Sequence, residues 1–337
     1  MTRSALSALL AAVLSVVVLP LAPAGATAHE ANGRDHKVNV KWAFGPAPTN
    51  HQGRPFFNFT QPAGGTLRDR VMISNFGNIP LTFDLYAADG YNQADGAFVL
   101  AERKQPRKDV GAWVSLPVKA VTVAPKMQSL IPFSLHVPGS ATPGDHAGGI
   151  VALQRPISAP PGQGLNVVAR HGIGARIYLR VPGPLHPQVA VTSVEVHKSS
   201  GPLGGGHGTV VATVVNTGNV RLNATVTAKA TNIFGGTIKT FAAQKIPSLL
   251  PGNTIEVVFQ WPSLPRIGPI HVKVNVDAAK AKAEGGTTFW VIPWLLVLIA
   301  VLLLVGLGYW WRHRRHNVGP ATPASHPVVD PETPQPS

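Results

Sequence analysis

The side chains best suited to holding a ligand lie in the first third of the chain. His51-Gln52-Gly53-Arg54-Pro55-Phe56-Phe57-Asn58-Phe59 places three aromatic rings around a proline and an arginine. Tyr86, Tyr91 and Phe98 flank a basic run that carries Arg103, Lys104, Arg107 and Lys108. Ring faces stack on sugars, and guanidinium or ammonium groups pair with carboxylate or phosphate. Arg54, Phe56, Tyr91, Arg103, Lys104, Arg107 and Lys108 are therefore the candidate ligand-binding residues. Phe57 and Phe59 alternate along the chain and are expected in the core. The basic run reads equally well as a solvated loop.

Catalytic chemistry finds no comparable support. With no cysteine, thiol catalysis and thiolate metal sites are excluded. No G-x-S-x-G elbow is present, and the sparse acids show no spacing that nominates a catalytic pair. Gly201 to Gly208 (GPLGGGHG) is glycine-rich but lies between strand-like runs, so it reads as a hairpin loop. His136, His146, His171, His186, His197 and His207 are scattered, with no pair at i, i+2 or i, i+4, so no metal site is expected. The chain is read as a non-enzyme with no cofactor. An enzyme or metal carrier built from converging histidines stays open only through the fold.

The elements that would position these residues are strands. Val38–Phe44, Leu81–Tyr86, Thr209–Val215 and His271–Asp277 alternate apolar and polar, and glycine and proline break them at short intervals. An internal repeat organises them. Ile73-Ser74-Asn75-Phe76-Gly77-Asn78-Ile79-Pro80-Leu81 matches Val214-Val215-Asn216-Thr217-Gly218-Asn219-Val220-Arg221-Leu222. Glycine and asparagine tolerate positive φ, so Asn-x-Gly-Asn between apolar runs is a turn with a mechanism. Pro125 and Phe133 recur downstream as Pro251 and Phe259. The first copy carries an insertion near Tyr91 to Val110. The fold class is all-β: two tandem immunoglobulin-like antiparallel β-sandwiches followed by one transmembrane α-helix.

The ends of the chain set the geography. Residues 1–28 read as a secretory signal peptide, with Arg3, an apolar run and Ala26-Thr27-Ala28 before the cut. Residues 29–184 form the first sandwich and 185–277 the second. Between them Pro182-Gly183-Pro184-Leu185-His186-Pro187 makes a stiff hinge. The cluster Ala159 to Gly164 is placed as a loop within the first sandwich. Residues 278–288 read as a juxtamembrane linker. Phe289 to Trp311, uncharged, is long enough to cross a bilayer as a helix. Arg312, Arg314 and Arg315 follow and mark the cytoplasmic side. Residues 312–337 are a basic, then proline-rich, tail. The expected location is the cell membrane, single-pass, with the sandwiches extracellular.

Charge narrows the partners. The formal net charge is +14. About +12 of it stays in residues 29–288 once Arg3, the tail arginines, Asp330 and Glu332 are set aside. Such an excess favours anionic wall polymers, lipid headgroups or glycosaminoglycans, and reads equally well as solubility plus a compositional bias toward arginine. No nucleic-acid motif accompanies it, so nucleic acid is not expected.

Val38-Lys41-Trp42-Ala43, the Arg68–Leu81 strand and turn, Trp113-Val114 and Pro143-Gly144-Asp145-His146-Ala147-Gly148-Gly149-Ile150-Val151 together resemble the WxL-interacting proteins of Gram-positive bacteria. The layout of signal peptide, two sandwiches, membrane helix and short tail is similar too. The resemblance implies a first domain that binds peptidoglycan, a second that serves as spacer or binds protein, and a WxL-type surface protein as partner. The alternative is an interaction protein that pairs with another surface protein without touching the wall.

Overall fold

The computed structural model describes residues 38–50, 52–157 and 171–316. The signal-peptide region, His51, the Ala159–Gly164 cluster and the tail beyond 316 lie outside the described residues. Two β-sandwiches and one long carboxyl-terminal helix make up the fold.

In the first sandwich one sheet has the order β1 (Trp42–Pro46), β3 (Thr66–Asn75), β8 (Gln128–His136), β6 (Val114–Ser115). The facing sheet has the order β2 (Phe57–Thr60), β10 (Gly172–Val181), β9 (Gly144–Gln154), β4 (Leu81–Asn92), β5 (Phe98–Leu100), and β7 (Ala120–Val123) also pairs with β4. All pairings are antiparallel except β2 with β10, which run parallel. Phe57, Ile73, Phe83, Leu135, Ile150 and Ile177 fill the space between the sheets. A one-turn helix, α1 (Val110–Trp113), precedes β6.

The second sandwich repeats this plan. Its sheets are β11 (Ala190–Ser199), β12 (His207–Val215), β16 (Thr254–Trp261), and β14 (Thr237–Thr240), β13 (Leu222–Asn232), β17 (Gly268–Asp277), β18 (Lys282–Val291). β15 (Gln244–Leu249) pairs with β13 as β7 does with β4. Trp261, Phe259, Leu249 and Ile255 anchor this core.

The repeated turn is the same object atom by atom. Asn75 Nδ2 donates to the carbonyls of Ile79 (2.8 Å) and Val123 (3.0 Å), and its Oδ1 accepts the Gly77 N–H (2.9 Å). Asn216 Nδ2 donates to Val220 (2.7 Å) and Leu249 (3.0 Å), and its Oδ1 accepts the Gly218 N–H (3.0 Å). Each buried amide is thus satisfied at both donors and at its oxygen. The next asparagine holds the incoming strand: Asn78 Oδ1 accepts the Asn39 N–H, and Asn219 Oδ1 that of His186. Neither glycine has positive φ, contrary to expectation. Glycine is required by close approach instead. A Cβ on Gly77 would sit 2.4 Å from the Asn39 carbonyl oxygen, and one on Gly218 2.1 Å from that of His186.

Three expectations need correction. Residues 278–288 are not a linker and the helix does not begin at Phe289. The second sandwich runs on past 277 into β18, which pairs along its whole length with β17. Its exposure alternates residue by residue, the mark of a strand with one face buried. Pro293 then separates it from α2 (Trp294–His316). Residues Trp294–Arg314 are long and apolar enough to cross a membrane, and the most apolar window of that stretch is not buried by the rest of the protein.

The insertion lies later than expected. The β4–β5 hairpin containing Tyr91 has a counterpart in β13–β14, so the extra chain is 101–119, between β5 and β7. The stretch 182–187 separates the sandwiches, and direct hydrogen bonds also join them across the junction. Asn92 N donates to Asn253 Oδ1, Asn92 Nδ2 to the Ser248 carbonyl, and the Leu250 N–H to Asn92 Oδ1, each at 2.8 Å. Asn219 Nδ2 donates to the Pro143 carbonyl, the Asp145 N–H to the Asn219 carbonyl and the Arg221 N–H to Asp145 Oδ2, again each at 2.8 Å. Leu250 is buried against Ala147 and Tyr178. The two sandwiches are joined by hydrogen bonds around an apolar plug.

Candidate functional site

The basic insertion is held in place by one carboxylate. Asp89, near the end of β4, accepts the N–H groups of Lys108 (2.6 Å), Asp109 and Gly111 (2.7 Å). Gly111 packs so closely that a Cβ there would lie 2.5 Å from the Asp89 nitrogen. Asp109 in turn meets His146 Nδ1 at 2.8 Å, while His146 Nε2 lies 2.9 Å from the Thr142 carbonyl. Both ring nitrogens face acceptors, which favours the doubly protonated ring. Burial works against that charge, but the Asp109 carboxylate, the Thr142 carbonyl and Asp145 outweigh it and raise the His146 pKa above 6.5. The Trp113 ring lies 4.8 Å away.

The anchored insertion walls a cleft of about 450 Å³ lined by Tyr86, Arg103, Arg107, Leu116 and Lys119. Tyr86 also borders a second cleft, of about 390 Å³, with Phe98, Leu100 and Arg176. Phe98 touches Tyr178 edge-on at 5.7 Å. Tyr178 lines a third cleft with Asn58, Thr60, Arg180 and Arg221. The three clefts form one strip along β4, β5 and β10 and onto the domain junction. Alternation on β10 explains its chemistry: Arg176, Tyr178 and Arg180 share one face, while Ile177 and Leu179 fill the core.

Along this strip rings and cations are interleaved. The Arg176 guanidinium lies 5.3 Å from the Phe98 ring centre, and that of Arg221, from the second sandwich, 3.9 Å from the Tyr178 ring centre. Phe56 meets Tyr178 edge-on at 5.3 Å. Among the described residues Arg176, Arg221 and Lys119 form no ion pair with a carboxylate. Burial and the nearby Glu102 carboxylate raise the Tyr86 pKa against the opposing pull of Arg103, so its hydroxyl remains a donor. The strip can therefore stack on ring faces and pair with anionic groups in one place.

The sequence candidates divide. Arg103 and Arg107 line the first cleft, and Phe56 closes the far end of the aromatic row. Lys104 and Lys108 stand exposed on the insertion without lining the clefts. Tyr91 is exposed on the β4–β5 hairpin, away from the strip's lining. Arg54 is a correction, since its guanidinium is used inside the protein. It grips Asp69 through two nitrogens (2.8 and 2.9 Å), donates to the Ala47 carbonyl, and lies 4.9 Å from the Phe57 ring centre. Phe57 is fully buried and Phe59 packs against the core, as expected. Sequence reading missed Arg176, Tyr178 and Arg221. The alternating Arg-Ile-Tyr-Leu-Arg run was the available signal for the first two. Among the described residues no group of three or more His, Asp or Glu side chains gathers to hold a metal ion.

No family model and no curated protein matches the chain. Among solved structures it is similar to the Pseudomonas aeruginosa CupB2 chaperone, with 11% identity over 71% of this chain and 97% of that one, and a TM-score of 0.31. It is likewise similar to the class 5 fimbriae chaperone CfaA (11% identity, 74% and 100% covered, TM-score 0.35). A chain of the Salmonella enterica SafA pilin–SafB chaperone complex matches at 13% identity, 75% and 97% covered, TM-score 0.35.

Proposed function

We propose that the protein is a membrane-anchored bacterial cell-surface protein whose first sandwich binds an anionic wall polymer, peptidoglycan, along the aromatic and cationic strip. The observation that carries this reading is the strip itself, with Tyr86, Phe98 and Tyr178 in a row and Arg103, Arg107, Lys119, Arg176 and Arg221 beside them. A glycan backbone offers ring faces and its peptide stems offer carboxylates, so the two kinds of contact can be made together. Arg221 belongs to the second sandwich, so that domain acts as a fixed buttress as well as a spacer. The apolar helix supplies the anchor, and its arginine-bearing end faces the cytoplasm by the bias that keeps basic residues inside. The sandwiches then face the wall, and the role is binding, not catalysis.

The test is cosedimentation of the detergent-solubilised full chain with purified peptidoglycan over a salt series. Binding should be strong at low salt, fall as salt screens the contacts, and be lost when Arg103, Arg107 and Arg176 are all changed to Ala. Absence of sedimentation at low salt overturns the reading.

One observation favours a second reading. β18 stands at the edge of its sheet, whereas its counterpart β10 is covered by β2. An open edge can take a strand from another protein, such as a WxL-type surface protein. Crosslinking in intact cells that returned one dominant protein partner, with no wall polymer, would favour it.

A further inference from the structure

The second sandwich ends in a ring of loops at the root of the helix. Register places them together. Asn232, at the end of β13, lies opposite Ile270, Ile270 opposite Phe289, and Gly268 opposite Val291. Ser199 pairs with His207, and Gly208 with Trp261. The β11–β12, β13–β14 and β16–β17 loops therefore share the end at which β18 runs into α2. Hydrogen bonds tie the β11–β12 loop to the β16–β17 loop and to the helix: the Leu264 N–H donates to Gly206 O, the Gly205 N–H to Pro265 O, and the Leu295 N–H of the helix to Pro202 O.

The tips of these loops are apolar and exposed. Phe234 is 88% exposed, Ile267 70%, Ile233 56% and Leu203 53%. Phe234 is not on a slack segment. Asn232 Oδ1 accepts the N–H groups of Phe234 (3.0 Å) and Gly236 (2.8 Å), and Gly235 takes φ 79°, so the turn is built to present its ring. Trp290 and Trp294 are exposed at the same level. The three loops contain no Asp or Glu, while Lys198, Lys239 and Arg266 lie in or beside them. Lys198 Nζ bonds the Trp290 carbonyl and lies near the Phe289 ring.

Exposed apolar tips with a basic fringe are what an interfacial membrane contact requires. Two residues separate β18 from α2, a reach of roughly 7 Å even when extended. The bilayer that takes the helix is therefore within reach of the tips. We propose that this end of the second sandwich docks on the outer leaflet, with Phe234, Ile233, Ile267 and Leu203 at the boundary between headgroups and acyl chains and the cations among anionic headgroups. The inference rests on the reading of α2 as a membrane span. It makes the second sandwich a seated base that fixes how the strip stands above the lipid.

The chain lacks cysteine, so single-cysteine variants can be labelled uniquely. Phe234→Cys, Ile267→Cys, Met127→Cys in the first sandwich and Leu302→Cys in the helix would each carry an environment-sensitive fluorophore. The full chain would be placed in nanodiscs of phosphatidylcholine and phosphatidylglycerol, with and without nitroxide-headgroup or mid-chain nitroxide lipid. The expected result is quenching at 234 and 267 several-fold above that at 127, strongest from the headgroup nitroxide, and quenching at 302 from the mid-chain nitroxide. Probes at 234 and 267 matching 127 while 302 is quenched would overturn the docking and leave the anchor intact. A probe at 302 that is not quenched would overturn both. A blue-shifted but unquenched probe at 234 would show that a protein covers the tips, which also overturns the proposal.

Discussion

The guanidinium of Arg221 lies 3.9 Å from the centre of the Tyr178 ring, and the two residues belong to different sandwiches. The contact forms because Asp145 receives the Arg221 backbone N–H while holding Arg180 through both of its oxygens. Leu250 fills the space behind. The aromatic row on the first domain is thus completed by a cation that only the assembled pair can supply. A surface made this way has a geometry that depends on the junction being closed.

Arg221→Ala removes that cation without uncovering the core. A hydrogen bond from that cation to a ligand carboxylate contributes about 1.5–3 kcal/mol, so peptidoglycan affinity should fall roughly 10- to 150-fold, read from cosedimentation isotherms. Arg221→Lys keeps the charge but loses the flat face and should recover only part of it. Unchanged affinity in Arg221→Ala would remove the junction from the site.

The junction itself can be opened. Asn92→Ala deletes the bonds to the Ser248 carbonyl and the Leu250 N–H, leaving buried backbone groups unpaired. Unpaired groups of this kind cost about 1–3 kcal/mol each. The wild-type chain should melt with its sandwiches coupled, whereas the variant should show two separated calorimetric transitions. A single unchanged transition would mean that the domains do not depend on this contact.

Local chemistry was the legible part. The repeat Asn75-x-Gly77-Asn78 and Asn216-x-Gly218-Asn219 is written within four residues, so the double sandwich could be read directly. The start of the apolar carboxyl-terminal helix could not, because Phe289, Trp290 and Val291 are as apolar as the residues after Pro293. Hydropathy does not mark where a strand hands over to a helix. The alternation through Lys282, Glu284, Gly286, Thr288 and Trp290 was the overlooked signal. The strip was hidden for a different reason. Tyr86, Phe98, Tyr178 and Arg221 are far apart in sequence, and only the strand order brings them together. Arg54 looked free because it lies in the loop before β2 while its partner, Asp69, sits on β3.

The paired asparagines make a prediction about stability. Asn75→Ala and Asn216→Ala each strand two carbonyls and one N–H in a buried site. Each should destabilise its own sandwich by about 2–4 kcal/mol, measured by denaturant midpoint at constant m-value. Asn→Asp at either position should not rescue it, since a carboxylate cannot donate to the two carbonyls. A loss below about 0.5 kcal/mol in both would mean that the turn is held by other contacts.

Arg54 should behave as a structural residue. It holds Asp69 below the usual carboxylate range, through its hydrogen bonds and charge, against the upward push of burial. Arg54→Ala leaves that partly buried carboxylate and the Ala47 carbonyl without their donor. The expected loss is about 1.5–3 kcal/mol of stability, with peptidoglycan affinity in the surviving folded fraction unaltered. Loss of affinity at unchanged stability would return Arg54 to the ligand site.

His146 gives the chain a pH dependence whose sign follows from its surroundings. Its pKa is raised in the folded state, because Asp109, the Thr142 carbonyl and Asp145 outweigh burial. The stabilisation is therefore fully present below the unfolded value near 6.5 and is lost as pH rises through the folded one. Asp109 also carries the insertion bearing Arg103 and Arg107, so losing the ion pair loosens that wall of the first cleft. Melting temperature should decline from pH 6 to pH 8.5 in the wild type, and the decline should be smaller in His146→Gln, which has no charge to lose. Hydrogen exchange at residues 103–111 should quicken over the same range beyond the intrinsic rise with pH. A wild-type profile that matches the variant at every pH would show that the imidazolium does not hold the insertion.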